Sequence, residues 1–364
     1  MKLSGGKIQI PWRALTMVGA VALIWAVFSV TTDGTFLTPR NISLLARQMS
    51  VTAILAVGMV LVIVAGQIDL SVGALTGFLG AVSAILFVNW GWPLGLAFLA
   101  TVLLGALLGH LQGHLVTWFS IPPFIVTLGG MLVFQGALLG ITGGVAVSPS
   151  ADYLAVGQAY LPKTLGWILG GVLAAGFAAR AAREKSMSRW KWAGAAFLIL
   201  GLTSILNAYE GIPVPVLLML ALAVFFSLLA GQTPFGRHLY AIGGNREAAF
   251  YSGINIRRHL VLVFTLMGSL AGVAGIVLTA RVGAATSDAG HMMELDAIAA
   301  AVIGGTSLMG GRGTVGGALL GALVMASLDN GMSLMNTEAF WQPILKGTIL
   351  ILAVGADMVS RRGK

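Results

Sequence analysis

Twelve apolar stretches follow one another along the chain, near residues 14–31, 49–66, 70–88, 94–117, 123–141, 164–179, 193–208, 214–231, 261–280, 296–308, 315–328 and 341–357. Most have roughly the 20 residues that an α-helix needs to cross the hydrocarbon core of a bilayer. The expected fold is all-α, a polytopic transmembrane helical bundle of about 10–12 membrane segments, some of them broken or re-entrant. Two pairs, 49–66 with 70–88 and 296–308 with 315–328, are joined by very short Gly-rich turns. Each pair reads either as two full crossings or as one interrupted hairpin. Removing a pair leaves the parity unchanged, so both termini lie on one side in either case.

Composition supports the pattern. Of 364 residues, 57% are hydrophobic and only 9% are charged, against about 25% charged in soluble domains. So few charges cannot cover a water-soluble surface of this size. Every loop is short, the longest being about 142–163 and 232–260, which makes residues 1–364 a single transmembrane domain with the loop 232–260 on the basic side. Lys2, Lys7 and Arg13 before an apolar run resemble a signal peptide. That run is longer than a typical signal core and no small-x-small site follows it, so it reads as a retained first span.

The net charge of +9 does not imply nucleic acid, because that reading needs a basic surface on a soluble domain. Position matters more. Fifteen of the 21 basic residues fall in 1–13, 180–192, 232–260 and 357–364, while Asp33, Asp152, Glu210, Asp288, Glu294 and Glu338 fall on the opposite side. The excess of Lys and Arg marks the cytoplasmic side, so both termini are expected in the cytoplasm.

Little of the chemistry expected of an enzyme is present. There is no GxxxxGK[ST] sequence, hence no evident ATP site in this chain. Gly311–Gly316 matches GxGxxG but has no strand before it. His110 and His114 have the i, i+4 spacing of a zinc helix without a third ligand. No catalytic residue, metal site or cofactor is expected. Trp90, Trp92, Phe340 and Trp341 suit anchoring at the membrane surface.

Polar residues within the apolar segments are the exceptions. Gly66–Ala81 and Gly305–Ala322 both run Gly, polar turn, then small-residue helix, a pattern of paired interrupted helices seen along transport pathways. Asp69, beside Gln67 and Ser71, reads as a helix cap at an interrupted span and also as a pathway or gating residue. Asp296 reads as a cap of the segment after it, and Asp329-Asn330-Gly331 as a turn at the outer end of its span. Gln67, Asp69, Ser71, Asp296 and Asn330 are therefore the candidate pathway or helix-break residues.

The loop 232–260 carries the most information. Asn245 is a good N-cap, Glu247 falls in the first turn where it favours the helix dipole, and Gly253 is a ready stop. A short helix over 246–252 is expected outside the bilayer, with Ala248 and Ala249 keeping its surface low. Two turns are unstable alone in water, so this helix must pack on its own bundle or on another protein.

Glu247-Ala248-Ala249-x-x-x-Gly253 resembles the E-A-A-x-x-x-G pattern of the cytoplasmic coupling loop in membrane subunits of ABC importers. GQIDLSVG (66–73), PPFIVTLGG (122–130), YAIGGNREAAFYSGI (240–254) and ELDAIAAAVIGGTSLMGG (294–311) extend the resemblance over nearly the whole chain. They are similar to permease subunits of bacterial ribose/xylose-type sugar importers. TTDGTFLTPRNISLLARQ (31–48), AYLPKT (159–164) and SLDNGMSLMN (327–336) look closest to the xylose-type members, whereas 180–192 carries no family motif.

The resemblance implies a non-ATPase subunit of an ATP-driven importer in the bacterial inner membrane, embedded in lipid, with a monosaccharide such as D-xylose as cargo. It further implies a second permease copy, a periplasmic sugar-binding protein and a cytoplasmic ATPase with two ATP-binding cassettes. Asn245, Glu247, Ala248, Ala249 and Gly253 would then couple to the ATPase. Two rival readings stay open: the same role for ribose or another monosaccharide, and a proton-coupled sugar carrier that titrates Asp69, Asp296 or Asp329.

Overall fold

The computed structural model describes residues 12–184 and 188–362. Lys2, Lys7, Lys185 and Lys364, which contribute to the charge asymmetry, lie outside the described residues. In chain order the helices are α1 (Trp12–Thr31), α2 (Pro39–Val64), α3 (Val72–Val88), α4 (Leu94–Trp118) and α5 (Pro123–Thr142). They continue as α6 (Ala151–Gln158), α7 (Lys163–Arg183), α8 (Ser188–Ala208), α9 (Val214–Gln232) and α10 (Pro234–Gly244). The last are α11 (Arg246–Tyr251), α12 (Ile256–Val282), α13 (Met293–Ile303), α14 (Val315–Leu334) and α15 (Trp341–Arg362). A helix occupies each of the twelve apolar segments. Among the described residues, eight helices are long and apolar enough to cross a membrane, and Met17–Thr31 and Val72–Val88 are shorter apolar helices. This is a multi-pass membrane bundle.

Burial separates an inner from an outer set of helices. α2, α12 and α14 are mostly enclosed, whereas α4, α5, α7, α8 and α9 turn Leu, Val, Phe and Trp outward. Lipid tails are as apolar as leucine and give no hydrophobic drive between helices, so close packing has to hold them together. Gly105, Gly109 and Gly113, four residues apart on α4, provide it against α12. A Cβ on Gly105 or Gly109 would strike the carbonyl oxygen of Gly268 or Phe264.

The two short-turn pairs differ. At 1.5 Å per residue α2 is about 39 Å long and α3 about 25 Å, so both are of crossing or near-crossing length. α13, with 11 residues, reaches only about 16 Å and is a half-helix, while its partner α14 is about 30 Å long. The irregular stretch before α13 continues its path beside α3. A Cβ on Gly77 or Gly73 would strike the backbone of Ala289 or Gly290. Non-helical backbone is tolerated at membrane depth where protein encloses it.

Three expectations are corrected. α2 starts ten residues before the apolar window, at Pro39, because Thr38 caps it and its N-terminal end buries polar Asn41 and Ser43 against protein. Arg47, which precedes the apolar window, is thereby inside α2. Asp329-Asn330-Gly331 is not a turn but part of α14, where Asn330 finds an amide partner and Gly331 accommodates the ring of Phe28. Asp296 does not cap α13. It lies in the first turn of that helix with its carboxylate on Lys346.

Candidate coupling site and helix breaks

α11 forms where the capping signals put it. Asn245 adopts an extended backbone, and its Oδ1 accepts from the Ala248 N–H at 3.0 Å. The helix is closed at its other end by Gly253 at φ +81°, where Gly253 N–H reaches Phe250 O at 3.0 Å and Ile254 N–H reaches Ala249 O at 3.1 Å. Ala249 is buried, while Phe250 and Tyr251 are 66% and 85% exposed. One face is thus anchored and the other is free. Arg246, Glu247, Phe250, Tyr251, Ile254 and Arg257 border a groove of about 840 Å³.

α10 joins this helix to the bundle. Thr233 Oγ1 caps it by accepting from Gly236 N–H at 3.2 Å, and Leu239 and Ile242 are buried. Tyr240 donates its hydroxyl to Gly313 O at 2.7 Å. Gly243 lies so close to Val64 O that a side chain there would collide with it. Gly311 N–H in turn donates to Val64 O at 2.9 Å. The end of α2, the turn before α14 and α10 therefore meet at one place, and the two Gly-rich breaks singled out in the sequence lie against each other.

Just beyond this junction Asp69 is buried at 1% exposure. One carboxylate oxygen accepts from Ser71 N–H at 2.8 Å and from Ser71 Oγ at 2.6 Å, and Gln112 Nε2 of α4 donates to Ser71 Oγ at 2.9 Å. The carboxylate holds the start of α3 through this turn. Gln67, two residues earlier, borders a cavity of about 290 Å³ whose rim includes Arg246 of α11 and Pro122 and Pro123 at the start of α5.

The remaining candidates are at the other end of α2. Asn330 pairs with Asn41 there. Lys346 of α15 bridges Asp296 at 3.0 Å and Asp329 at 2.8 Å, so each carboxylate has a cationic partner in a place where unpaired charge is disfavoured. The structure therefore divides the sequence-derived set. Gln67, Asp69 and Ser71 share one junction with the 245–253 segment, and Asp296 and Asn330 do not. Tyr240, Gln112 and Lys346 were not among the candidates. Lys346, a lone cation in an apolar segment, carried a signal in the sequence; Tyr240 and Gln112 carried none. His110 and His114 face each other, Nε2 to Nε2 at 2.9 Å, and among the described residues no group of three metal-binding side chains forms.

Comparison with known proteins comes to the same architecture. Residues 41–354 match the family model described as branched-chain amino acid transport system / permease component. The chain is 46% identical to the xylose transport system permease protein XylH of Escherichia coli K12, over 96% of this chain and 93% of that protein. It is 48% identical to the Haemophilus influenzae protein of the same name, over 95% and 96%. It is also 37% identical to the ribose import permease protein RbsC of Bacillus subtilis, over 88% and 86%. No solved structure matches it.

Proposed function

This chain belongs to the family of branched-chain amino acid transport system permease components, and from that premise we propose that it is the membrane-spanning subunit of an ATP-driven importer of D-xylose. Its near-full-length similarity to xylose permeases supports the choice of sugar. The few charges at membrane depth suit a neutral polyhydroxyl cargo. The partners are a cytoplasmic ATPase with two cassettes, a periplasmic sugar-binding protein and a second permease copy. The membrane is the bacterial inner membrane, with both termini cytoplasmic, as the Lys and Arg distribution favours.

One observation carries the mechanism: a capped helix with two outward aromatic rings rests, through α10, on the junction of two helix breaks. The ATPase grips α11 through the groove around Phe250 and Tyr251. Closure of the cassettes displaces α11 and α10 together. Tyr240 on Gly313, and Gly243 against Val64, pass the movement to the turns ahead of α3 and α14. Those turns carry Asp69 at the start of α3, so tilting them opens the route on one side and closes it on the other. The rival, a proton-coupled carrier, has no use for α11, and two of its three candidate carboxylates, Asp296 and Asp329, are held on Lys346.

The test is sugar accumulation in sealed vesicles containing this chain, the ATPase and the binding protein. D-xylose is expected to accumulate only when ATP and all three proteins are present. Accumulation by the chain alone under a proton gradient would overturn the reading.

A further inference from the structure

The ends of α4 and α12 nearest α11 frame a second groove, of about 450 Å³, which adjoins the groove around α11 and shares Asn255 and Arg257 with it. His110, His114 and Trp118 line it from α4, and Asn255, Arg257 and Arg258 from the start of α12. Both arginines are exposed, and neither forms an ion pair with a carboxylate of the described residues. The 27-residue α12 points its N-terminus at the groove, where Asn255 Oδ1 caps only the Arg258 N–H. The positive end of the helix dipole adds to the arginine charge.

The histidines form an ordered floor. Thr265 Oγ1 donates to Val261 O at 2.7 Å. It therefore accepts from His110 Nδ1, 3.2 Å away. His110 Nε2 is then an acceptor, and His114 Nε2 donates to it across 2.9 Å. This tautomer assignment follows from the hydrogen-bond network. The edge of His114 packs on the exposed ring of Trp118 with centroids 4.8 Å apart.

Above the groove the surface changes character. Leu103, Leu107, Leu111 and Leu115 are all exposed and lie one turn apart on α4, forming an apolar ladder that ends at His114 and Trp118. Leu262 of α12 is exposed beside it. An apolar track of one membrane leaflet thus runs into a cationic pocket at the membrane–water boundary, with an indole at the level where aromatic belts sit. A free anion would use the pocket but not the ladder. A zwitterionic lipid would use the ladder but bring no net charge to the arginines. Only an anionic amphiphile uses both.

We propose that this groove binds the phosphate head group of an anionic phospholipid, with Arg257 and Arg258 on the phosphate and the acyl chains along the leucine ladder. The site belongs to the leaflet on the α11 side, proposed above as cytoplasmic, where anionic lipids meet basic segments.

Native mass spectrometry of the full-length chain, purified in detergent and incubated with phosphatidylglycerol and phosphatidylcholine of equal acyl length, tests it without any transport partner. Failure of the transport reading would leave this result standing, and the reverse also holds. The wild type is expected to retain phosphatidylglycerol over phosphatidylcholine by roughly 30-fold, the preference that two basic side chains supply near an anionic surface. Arg257→Gln with Arg258→Gln should abolish that preference, and each single change should lower it to roughly a fifth. Both positions are exposed, and an unaltered melting curve will show that the variants fold. Arg180→Gln with Arg183→Gln, on the distant α7, should change nothing. Equal retention of both lipids by the wild type would overturn the site. So would a preference that survives the double substitution, or one lost equally in the α7 variant. Displacement of the lipid by inorganic phosphate at stoichiometric concentration would also overturn it, by assigning the pocket to a free anion.

Discussion

Asn41 and Asn330, 289 positions apart in the chain, hold each other by two amide hydrogen bonds of 2.8 and 3.1 Å. Each side chain donates to the oxygen of the other, so both buried amides are largely satisfied, and Asn41 also reaches Phe36 O at 2.9 Å. The pair ties the start of α2 to the far end of α14. It also explains why Asp-Asn-Gly, a strong turn sequence, stays helical here.

Breaking this pair from either side should be costly. Asn330→Leu leaves the Asn41 amide buried without its main partner, a loss of about 1–3 kcal/mol. Asn41→Ala with Asn330→Ala should cost less than the two single changes added together, because the second removes a group already orphaned. Thermal unfolding of the purified chain in detergent measures each of these variants, and strict additivity of the two alanine changes would mean that the contact contributes nothing.

Lys346→Met removes the shared cation of Asp296 and Asp329 and leaves two carboxylates facing each other. Breaking such a pair costs about 3–5 kcal/mol when it is fully buried. The side chains here are 21%, 12% and 18% exposed, so the expected loss is in the lower part of that range. Adding Asp296→Asn and Asp329→Asn should recover most of it, since no unpaired charge then remains. The same unfolding measurement applies, and a triple variant weaker than Lys346→Met alone would contradict the ion-triad account.

At Asp69 the carboxylate accepts two hydrogen bonds from Ser71, and an amide oxygen can accept the same two. Asp69→Asn should therefore retain most transport, whereas Asp69→Leu, which leaves Ser71 N–H and Oγ without their acceptor, should lose more than about 1 kcal/mol of stability and most uptake. Equal and complete loss in both variants, with folding intact, would show that the negative charge itself is needed.

Gly253 stands at φ +81°, with open space around a would-be Cβ. Gly253→Val therefore meets no clash, only backbone strain of about 1–2 kcal/mol or more for a branched side chain. That strain falls on the stop of α11, so ATP hydrolysis by the assembled complex should continue while sugar uptake falls. Full coupling in this variant would exclude Gly253 from the transmission route.

The membrane-spanning elements and the short helix expected over 246–252 could be read from the chain, the helix to within one residue of Arg246–Tyr251, because their causes are local. Apolar runs of crossing length have few alternatives in a bilayer, and Asn245 and Gly253 act on backbone groups within three or four residues of themselves. Misreadings arose where a local signal competed with a distant partner. The polar residues Asn41 and Ser43 hid the first ten residues of α2, because an apolar window cannot know that they are enclosed by protein. Asp296 looked like a cap because Lys346, fifty positions later, was not visible as its partner.

From its sequence alone this protein was determined to be a membrane bundle with a short, capped helix outside it, since hydropathy and capping depend on neighbours along the chain. Only the tertiary structure decided that Gly243, Val64 and Gly311 converge, that Tyr240 reaches Gly313, and that the carboxylates separate into one on a backbone turn and two on a lysine. Those contacts join helices that sequence order keeps apart. In a bilayer, where apolar faces are nearly interchangeable, their pairing is set by the fit of glycines and the satisfaction of buried polar groups in three dimensions.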